Sequence, residues 1–356
     1  MKLKTKTYLS VLAAFAVTGA QASSSLSFTS WGGSYQEAQE KTAVKPFGIA
    51  NKVDIKTDAY NGGIAQVRAQ VQTKNVTWDI VDMQLSDVIR ACDEGLLEKI
   101  NPDIDLAKDK SGKPAKSDYL PGAINNCMAG NISWSTILVF NKDKFKGSQP
   151  KTVADFFDLK KFPGKRALRK SPEGALEWAL IADGVPPAQV YKTLSTQAGV
   201  ERAFKKLDTV KSSIVWWEAG AQPPQLLADG EVTMASAYNA RIYTAIMNDK
   251  KPFEFLWDGQ LKNIEGYVIV KGSKNVAAAK AFIKEATKPQ ALADLATSTA
   301  YGPLRKSAVS LVDPKVGKYL PTAPEHQKGS LDVDPLFWAD NADALNQKFA
   351  VWLGRK

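Results

Sequence analysis

The 356-residue chain is poor in the side chains on which many hydrolases and metalloenzymes depend. It contains one histidine, His326, so a zinc site with several histidine ligands is excluded. No serine stands in a G-x-S-x-G nucleophile elbow, and no G-x-x-x-x-G-K-[ST] phosphate loop is present. We therefore predict no catalytic residue, no metal and no cofactor. A secreted enzyme acting on a small charged metabolite stays an alternative, because a Ser-His-Asp site or a carboxylate pair is defined by geometry and not by spacing.

Long hydrophobic runs are also missing. The apolar run near the start has about nine residues, against the roughly 20 that a membrane-spanning helix needs. Three lysines precede this run, and Ala20-Gln21-Ala22 follows it in the small-x-small pattern of a signal-peptidase site. We predict that residues 1–22 are a cleaved signal peptide and that the mature protein is periplasmic.

Blocks of like charge are absent as well. The formal net charge of +10 falls to +7 when Lys2, Lys4 and Lys6 are removed with the signal peptide. The remaining basic residues are interspersed with acids, as in "KSDYLPG" and "KKLDTVK". We interpret this as a solvated surface and predict no nucleic-acid partner. An envelope or nucleic-acid-binding protein would instead show a steep salt dependence of binding to anionic polymers.

The chain has two cysteines, Cys92 and Cys127, in neither a C-x-x-C nor a metal-ligand spacing. In an oxidising compartment such a pair favours a disulfide over two free thiols. The bridge would close a loop of about 35 residues. Chain-entropy estimates for such a loop are on the order of 3 to 4 kcal/mol.

Short β-type runs alternate with longer helical patterns, which is typical of α/β domains on largely parallel sheets. At this length two domains are expected. The first hundred residues predict β-α-β-α-β-α, and ligands of open parallel sheets lie beyond the carboxyl ends of the strands. Those ends carry Trp31, Tyr60, Asp82 and Gln84.

Three capping patterns predict helix starts. Ser34 and Glu37 stand in capping-box spacing, which predicts a helix from Tyr35 that stops before Pro46. The segment 152–155 has the same pattern, with Thr152 and Asp155. In the third, Ser171 is predicted to cap a helix with Pro172 at its first position.

Aromatic residues recur where predicted strands stop, and their faces attract an ammonium group by cation–π interaction. Core packing is the alternative for each ring taken singly. The set comprises Trp31, Tyr35, Tyr60, Trp134, Trp216, Trp217 and Tyr238.

Several segments, in order, resemble a bacterial periplasmic solute-binding protein of the spermidine/putrescine-binding type, the receptor subunit of an ABC importer. They include "SWGGSYQEAQ", "YNGGIAQVRAQV", "WDIVDMQLSDVIRACDEGLLEKI", "TVADFFDLKKFPGKRAL", "LLADGEVTMASAYNARI" and "NIEGYVIVKGSKNVAAAKAFIKEAT". The resemblance implies a type II-like, two-lobed α/β fold, each lobe a mainly parallel sheet flanked by helices, joined by crossover strands. Lobe 1 would comprise residues 23–140 and 265–315, and lobe 2 residues 141–264 and 316–356. The implied partners are a small-molecule ligand and an inner-membrane ABC permease complex, with the receptor itself a monomer.

The resemblance also implies site residues. The family's amino-terminal aromatic pair falls on Trp31 and Tyr35, and its central amine-binding aspartate on Glu265. Its acidic wall falls on "KSPEG", where this chain keeps only Glu173 as an acid. The complete predicted ligand-binding set is Trp31, Gly33, Tyr35, Gln84, Trp134, Ser171, Glu173, Trp217, Tyr238, Asn239, Arg241 and Glu265.

The departures from the family pattern bear on the ligand. A polyamine needs an anion or a carbonyl cluster at each end, because an unpaired ammonium is costly to desolvate. Fewer acids, with Arg241 close to the cleft motif, favour an ω-amino acid such as 4-aminobutyrate. Glu265 would pair with the amine, while Arg241, helped by Ser171 at a helix N-terminus, would hold the carboxylate. A polyamine stays the alternative ligand, and a surface position the alternative for Arg241.

Overall fold

The computed structural model describes residues 25–355, so the predicted signal peptide lies outside the described residues. The strands are β1 (Ser25–Ser30), β2 (Asp54–Ala59), β3 (Ile80–Gln84), β4 (Ala129–Asn141), β5 (Arg166–Arg169), β6 (Ile214–Trp217), β7 (Met234–Tyr238), β8 (Phe253–Ile269), β9 (Gly302–Pro303) and β10 (Leu331–Asp332). The α-helices are α1 (Gly33–Gln39), α2 (Lys45–Asn51), α3 (Ala65–Gln72), α4 (Leu85–Asp93), α5 (Pro102–Asp105), α6 (Ala115–Asp118), α7 (Val153–Phe157), α8 (Pro172–Ala182), α9 (Val190–Leu194), α10 (Gln197–Asp208), α11 (Gln222–Ala228), α12 (Asn239–Met247), α13 (Val276–Ala286), α14 (Pro289–Thr299), α15 (Lys306–Val309), α16 (Pro314–Gly317) and α17 (Pro335–Gly354). Over residues 25–355, no helix combines the length and the apolar character that a membrane span requires.

The strands form one sheet with the main order β2-β1-β3-β8-β4-β7-β5-β6. At one end β2, β1 and β3 are parallel, and we call them the first half-sheet. At the other end β7, β5 and β6 are parallel and form the second half-sheet. The long strands β4 and β8 pair antiparallel with each other and with the flanking half-sheets. The predicted α/β fold, with mainly parallel sheets joined by crossover strands, is confirmed.

Each half-sheet packs against its own hydrophobic core. The core of the first half-sheet includes Phe28, Ile80 and Phe282, all buried. The core of the second includes Phe156 and Trp178 and takes in residues of the carboxyl-terminal helix α17. Burial of a large apolar side chain contributes about 1.5 to 3 kcal/mol, so each core stabilises the half-sheet against which it packs.

The first helical segment differs from its prediction. It starts at Gly33 and not at Tyr35, with Gly32 in the capping position and no side-chain cap. It also continues past Pro46, through a π-helical stretch at residues 40–44 into α2. Pro46 stands in the first turn of α2, where a missing N–H is tolerated, so the proline does not end the segment.

The other two caps have different outcomes. Thr152 and Asp155 form the predicted capping box. Ser171 occupies the capping position of α8 but accepts no hydrogen bond there, because Glu173 and Gly174 depart from helical geometry. Gly174 has a φ of 87°, which glycine adopts without strain. The regular helix therefore begins after this break.

The predicted disulfide is confirmed, since Cys92 and Cys127 are joined with their Cα atoms 6.1 Å apart. The bridge ties α4 to the segment that precedes β4. It therefore holds together two parts of the chain that flank the first half-sheet.

Candidate functional site

A small cavity, here the inner cavity, lies where the two half-sheets meet and includes about 310 Å³ of space, part of which opens to solvent. Its lining comes from the turn after β1, from α1, β3, β4, β7, α12 and β8, and from the segment after α14. Convergence at this point follows from topology, because β1, β3 and β7 end at it and β4 and β8 pass through it. The lining residues are Trp31, Tyr35, Gln84, Trp134, Tyr238, Arg241, Glu265 and Tyr301.

Five aromatic rings form most of the walls. Tyr35 packs edge-on against Tyr301 with ring centroids 5.2 Å apart. Trp134 packs edge-on against Tyr238 at 5.1 Å. Trp31 packs against Tyr60, which lies behind it at 5.0 Å. Such a group of rings offers π-faces to a cation.

The polar atoms of the cavity are incompletely paired. Within residues 25–355, six buried side-chain atoms have no hydrogen-bond partner, and four of them belong to the cavity lining. Three are donors, namely the indole N–H groups of Trp31 and Trp134 and the Nε–H of Arg241. The fourth is an acceptor, Oε2 of Glu265. Each unpaired buried polar atom costs about 1 to 3 kcal/mol, which a ligand with matching groups would recover.

Arg241 is buried, with 6% of its surface exposed, and not on the surface. Its Nη2 donates to the carbonyl oxygen of Gly32 at 2.7 Å, and its Nη1 donates to Ser34 Oγ at 3.2 Å. The guanidinium therefore crosses from α12, beside the second half-sheet, to the turn that follows β1. Its remaining Nε–H is the unpaired donor described above.

Glu265 lies on β8 beside a second buried carboxyl group, Asp82 of β3. Asp82 accepts hydrogen bonds from Tyr35 Oη at 2.8 Å, Gln39 Nε2 at 2.8 Å and Asn131 Nδ2 at 2.9 Å. Burial raises the pKa of Asp82 to about 6 even though these bonds act in the opposite direction. Burial, together with the neighbouring Asp82 charge, raises the pKa of Glu265 well above its ordinary value. Two such carboxyls titrate as a pair and hold a proton until a cation replaces it.

A larger polar space, here the outer chamber, adjoins the inner cavity and includes about 970 Å³ that opens to solvent. Trp31 and Gln84 line both spaces. Between the two half-sheets, Gln84 Nε2 donates to both oxygens of Glu173, at 2.9 and 3.1 Å. Burial raises the pKa of Glu173, while Arg169 opposes that shift. Glu173 makes this contact from the break in α8, where its own backbone angles are not helical.

Seven of the predicted residues line the inner cavity, and Ser171 and Glu173 line only the outer chamber. Ser171 and Arg241 therefore line different spaces, whereas the prediction places both at one carboxylate site. The structure brings three others to neither space. Trp217 is buried behind Tyr238 and donates its Nε1–H to Ser236 Oγ at 3.0 Å.

Asn239 and Gly33 are the other two. Asn239 accepts a hydrogen bond from the backbone N–H of Ser135 at 3.1 Å and donates to the carbonyl of Ala300 at 2.8 Å. It thus holds Ala300, the residue before Tyr301, and lines neither space itself. Gly33 lies against the guanidinium of Arg241, nearest to Nη1, and lines neither space itself.

Sequence reasoning missed Tyr301, Arg169 and the role of Asp82. Tyr301 follows Ala300, which ends α14 with a positive φ of 58°, and no strand end or motif marks the place. Asp82 did stand at a predicted strand end, which was the available signal for it. Its pairing with Glu265 depends on the neighbouring positions of β3 and β8, which sequence alone does not specify.

The single histidine lies elsewhere. The His326 ring stacks on Trp257 with centroids 3.8 Å apart, and its Nδ1 lies 2.9 Å from the carbonyl oxygen of Leu320. It lines neither the inner cavity nor the outer chamber. The enzyme alternative that depended on His326 therefore has no support from its position.

Two parallel half-sheets, two crossover strands and a polar-aromatic cavity between them define a ligand-binding receptor of the periplasmic binding protein class. Residues 42–323 match the model of the bacterial extracellular solute-binding protein family, and the chain belongs to this family. The gamma-aminobutyric acid-binding protein of Pseudomonas aeruginosa is 40% identical over 342 residues, which cover 96% of this chain and 94% of that protein.

Solved structures agree with this assignment. The PBP MotA from A. tumefaciens B6 in complex with glucopine is 36% identical with a TM-score of 0.85, covering 92% of this chain and 99% of that one. The Atu4243 GABA receptor is 34% identical with a TM-score of 0.80, and the match covers 93% of this chain and 98% of that one.

The predicted receptor class is confirmed: the protein is a solute-binding receptor of an ABC transporter. Proteins of this family bind small molecules, work with ABC permease components and are not enzymes. In Gram-negative bacteria they are periplasmic. The spermidine/putrescine resemblance is more distant than predicted. The spermidine/putrescine-binding protein of Streptococcus pneumoniae is 15% identical with a TM-score of 0.69, a likeness of fold alone.

Proposed function

We propose that this receptor captures an ω-amino acid of the 4-aminobutyrate type in the inner cavity and delivers it to an inner-membrane ABC permease. The observation that carries the proposal is the set of unpaired atoms in one small cavity: three N–H donors and one carboxylate oxygen. A zwitterion is the complement of that set. The Pseudomonas relative is a gamma-aminobutyric acid-binding protein and Atu4243 is a GABA receptor, so the ligands of both belong to the same class.

The unpaired atoms also suggest an orientation. The carboxylate accepts from Arg241 Nε and from the indoles of Trp31 and Trp134, since charged acceptors make the stronger hydrogen bonds. The ammonium donates to Glu265 and lies among the aromatic rings, where cation–π attraction contributes about 0.5 to 2 kcal/mol per ring. In this orientation neither end of the ligand is left unpaired on desolvation.

Polyamines fit the same cavity less well. A second ammonium would meet three N–H donors and Arg241 in place of an anion, and burying that contact costs several kcal/mol. A second ligand class is an amino acid with a larger polar substituent, because the outer chamber is contiguous with the cavity and the glucopine-binding MotA is 36% identical.

We further propose that the molecule closes as two lobes, residues 23–140 with 265–315 and residues 141–264 with 316–356. Contacts between the half-sheets, from Gln84 to Glu173 and from Arg241 to Gly32, support this division. The receptor is proposed to act as a periplasmic monomer after cleavage of its signal peptide, with no nucleic-acid partner.

A thermal-shift panel on the mature protein tests the ligand assignment. Its members are 4-aminobutyrate, 5-aminopentanoate, putrescine, spermidine, butyrate and butylamine. Ligand at about 100 times its Kd stabilises the folded state by about 2.7 kcal/mol, so the zwitterions should raise Tm by several degrees. Butyrate and butylamine, which each satisfy one end, should give smaller shifts. A larger shift with putrescine than with any zwitterion would contradict the proposal.

A further inference from the structure

The turn between β1 and α1 is built from two glycines with positive φ, Gly32 at 63° and Gly33 at 56°. Arg241 of α12 lies directly against this turn. A Cβ placed on Gly33 would be 2.4 Å from Nη1 of Arg241 and 3.4 Å from its Cζ. Real Cβ atoms do not approach a heavy atom so closely, so Arg241 occupies the space where another residue would carry its side chain.

The nitrogen atoms of the Arg241 guanidinium differ in their hydrogen bonding. Nη1 and Nη2 donate to Ser34 Oγ and to the carbonyl oxygen of Gly32, both in the first lobe. Nε has no partner, and the Arg241 side chain lines the inner cavity. Because the guanidinium is a rigid plane, the turn sets the direction in which Nε points.

We infer that Gly33 is a positioning residue for capture: its missing side chain admits the Arg241 guanidinium to the turn, so that one group both joins the lobes and meets the ligand carboxylate. The ligand part of this inference depends on the proposed function. The contact between turn and guanidinium does not.

A side chain at residue 33 would force the Arg241 guanidinium to move away from the turn. The guanidinium is buried, and retreat would break the 2.7 Å hydrogen bond to Gly32. It would also leave a buried cation with fewer partners, which is more costly than a lost neutral bond. The less costly response is for the two lobes to remain apart.

Gly33→Ala is the test, and Gly184→Ala is its matched control. Gly184 also has a positive φ, 86°, but a Cβ there would meet open space, so the control carries the backbone strain without the contact. Binding of 4-aminobutyrate is measured by calorimetry. Closure is measured by single-molecule FRET between dyes on Lys56→Cys and Lys192→Cys, two exposed positions on opposite halves, with and without ligand.

We expect Gly33→Ala to weaken binding and to reduce the closed fraction at least tenfold, with Gly184→Ala within twofold of wild type. In an Arg241→Ala background, Gly33→Ala should add less than a twofold loss, because its collision partner is gone. A Gly33→Ala protein that binds and closes like the control, or an equal loss in both backgrounds, overturns the inference.

Two further outcomes separate the proposals. If Gly33→Ala does not fold, Arg241→Lys tests the same contact by changing the arginine. Lysine keeps the positive charge but lacks the several N–H donors of the guanidinium, so the closed fraction should fall tenfold. If no ω-amino acid binds the wild type, the proposed function fails, and the ligand-free closed fractions of wild type, Gly33→Ala and Gly184→Ala still decide the inference. A wild type that never closes overturns both.

Discussion

Two buried carboxyl groups, Asp118 and Glu265, differ in the source of their countercharge. Asp118 lies 2.6 Å from Nε of Arg305 and accepts from the backbone N–H and the hydroxyl of Ser307. Burial alone would raise the pKa of Asp118, but the bonds from Ser307 and Arg305 outweigh it and lower the pKa. Glu265 faces a second carboxyl group, and its Oε2 is unpaired.

This difference separates a structural buried charge, Asp118, from one that belongs to a candidate ligand site, Glu265. A charge with its partner supplied by the fold is already compensated, so it contributes to the folded state alone. A charge whose partner is missing stays protonated or strained until a cation arrives. Perturbed carboxyls of this kind cluster at functional sites because the fold leaves them incomplete.

The largest effect is expected when the structural pair is broken. Arg305→Met leaves Asp118 buried without its cation, which should lower the free energy of unfolding by about 3 to 5 kcal/mol. Urea unfolding of the ligand-free protein measures this. The Kd for 4-aminobutyrate, measured under conditions where the variant is folded, should stay within twofold of wild type. A binding loss larger than the stability loss would contradict the comparison.

Replacing Glu265, the unpaired acid, should weaken ligand binding without lowering the free energy of unfolding. Glu265→Gln removes the charge that pairs with the ammonium and should weaken binding by about 3 kcal/mol, on the order of 100-fold. The ligand-free variant should be at least as stable as wild type, because the amide relieves the repulsion with Asp82. Calorimetric titration and urea unfolding on the same sample measure both quantities. Unchanged affinity would remove Glu265 from the site.

The contributions of Asp82 and Asp118 to the free energy of unfolding should also respond oppositely to pH. The pKa of Asp82 is raised to about 6, so the stability from its protonated form is present near pH 4 and is lost as pH rises through about 6. The pKa of Asp118 is lowered, so its contribution is present above the unfolded-state pKa and is lost as pH falls below it.

An ammonium ligand compensates the ionised Asp82–Glu265 pair, so the rise in Tm caused by 4-aminobutyrate should be larger at pH 8 than at pH 5. Thermal unfolding with and without ligand across this range checks the sign, and Glu265→Gln serves as the control with a flatter profile. A ligand-induced shift that is constant or falls with pH would mean that no proton is displaced.

The smallest effect concerns the donor end of the cavity. Trp134→Phe keeps a ring but removes one unpaired N–H, which should weaken binding by about 1 kcal/mol, roughly fivefold. Trp217→Phe is the control, because its N–H already bonds Ser236 and its ring lies behind Tyr238. Titration of both variants should show the loss only in the first. Equal losses would mean that packing, and not the donor, accounts for the change.

Much of the fold was predictable because it depends on short-range pattern. The alternation of strands and helices predicted the two parallel half-sheets, and strand ends predicted Trp31, Gln84 and Tyr238 as lining residues. Local capping was less reliable. The Thr152 box formed, whereas the helix after Gly32 started without a side-chain cap, because Arg241 and not the backbone engages Ser34.

The pair Trp216 and Trp217 marks the limit of such reasoning. Neighbouring residues on a strand point to opposite faces, so both cannot face one cavity. Here Trp216 packs on Phe349 and Trp352 of α17 and Trp217 packs behind Tyr238. The sequence indicates where a strand ends, but not which other side chains pack against the residues at that end.

By itself, the sequence determined the class of molecule through its resemblance to a known family, the disulfide through its two cysteines, and most of the aromatic lining through strand ends. Only the tertiary structure decided which polar atoms remain unpaired, that Asp82 stands beside Glu265, and that Gly33 makes room for Arg241. The physical reason is that these are distances between residues up to about 200 positions apart in the chain. Such distances depend on how the half-sheets pack, and no local pattern encodes them.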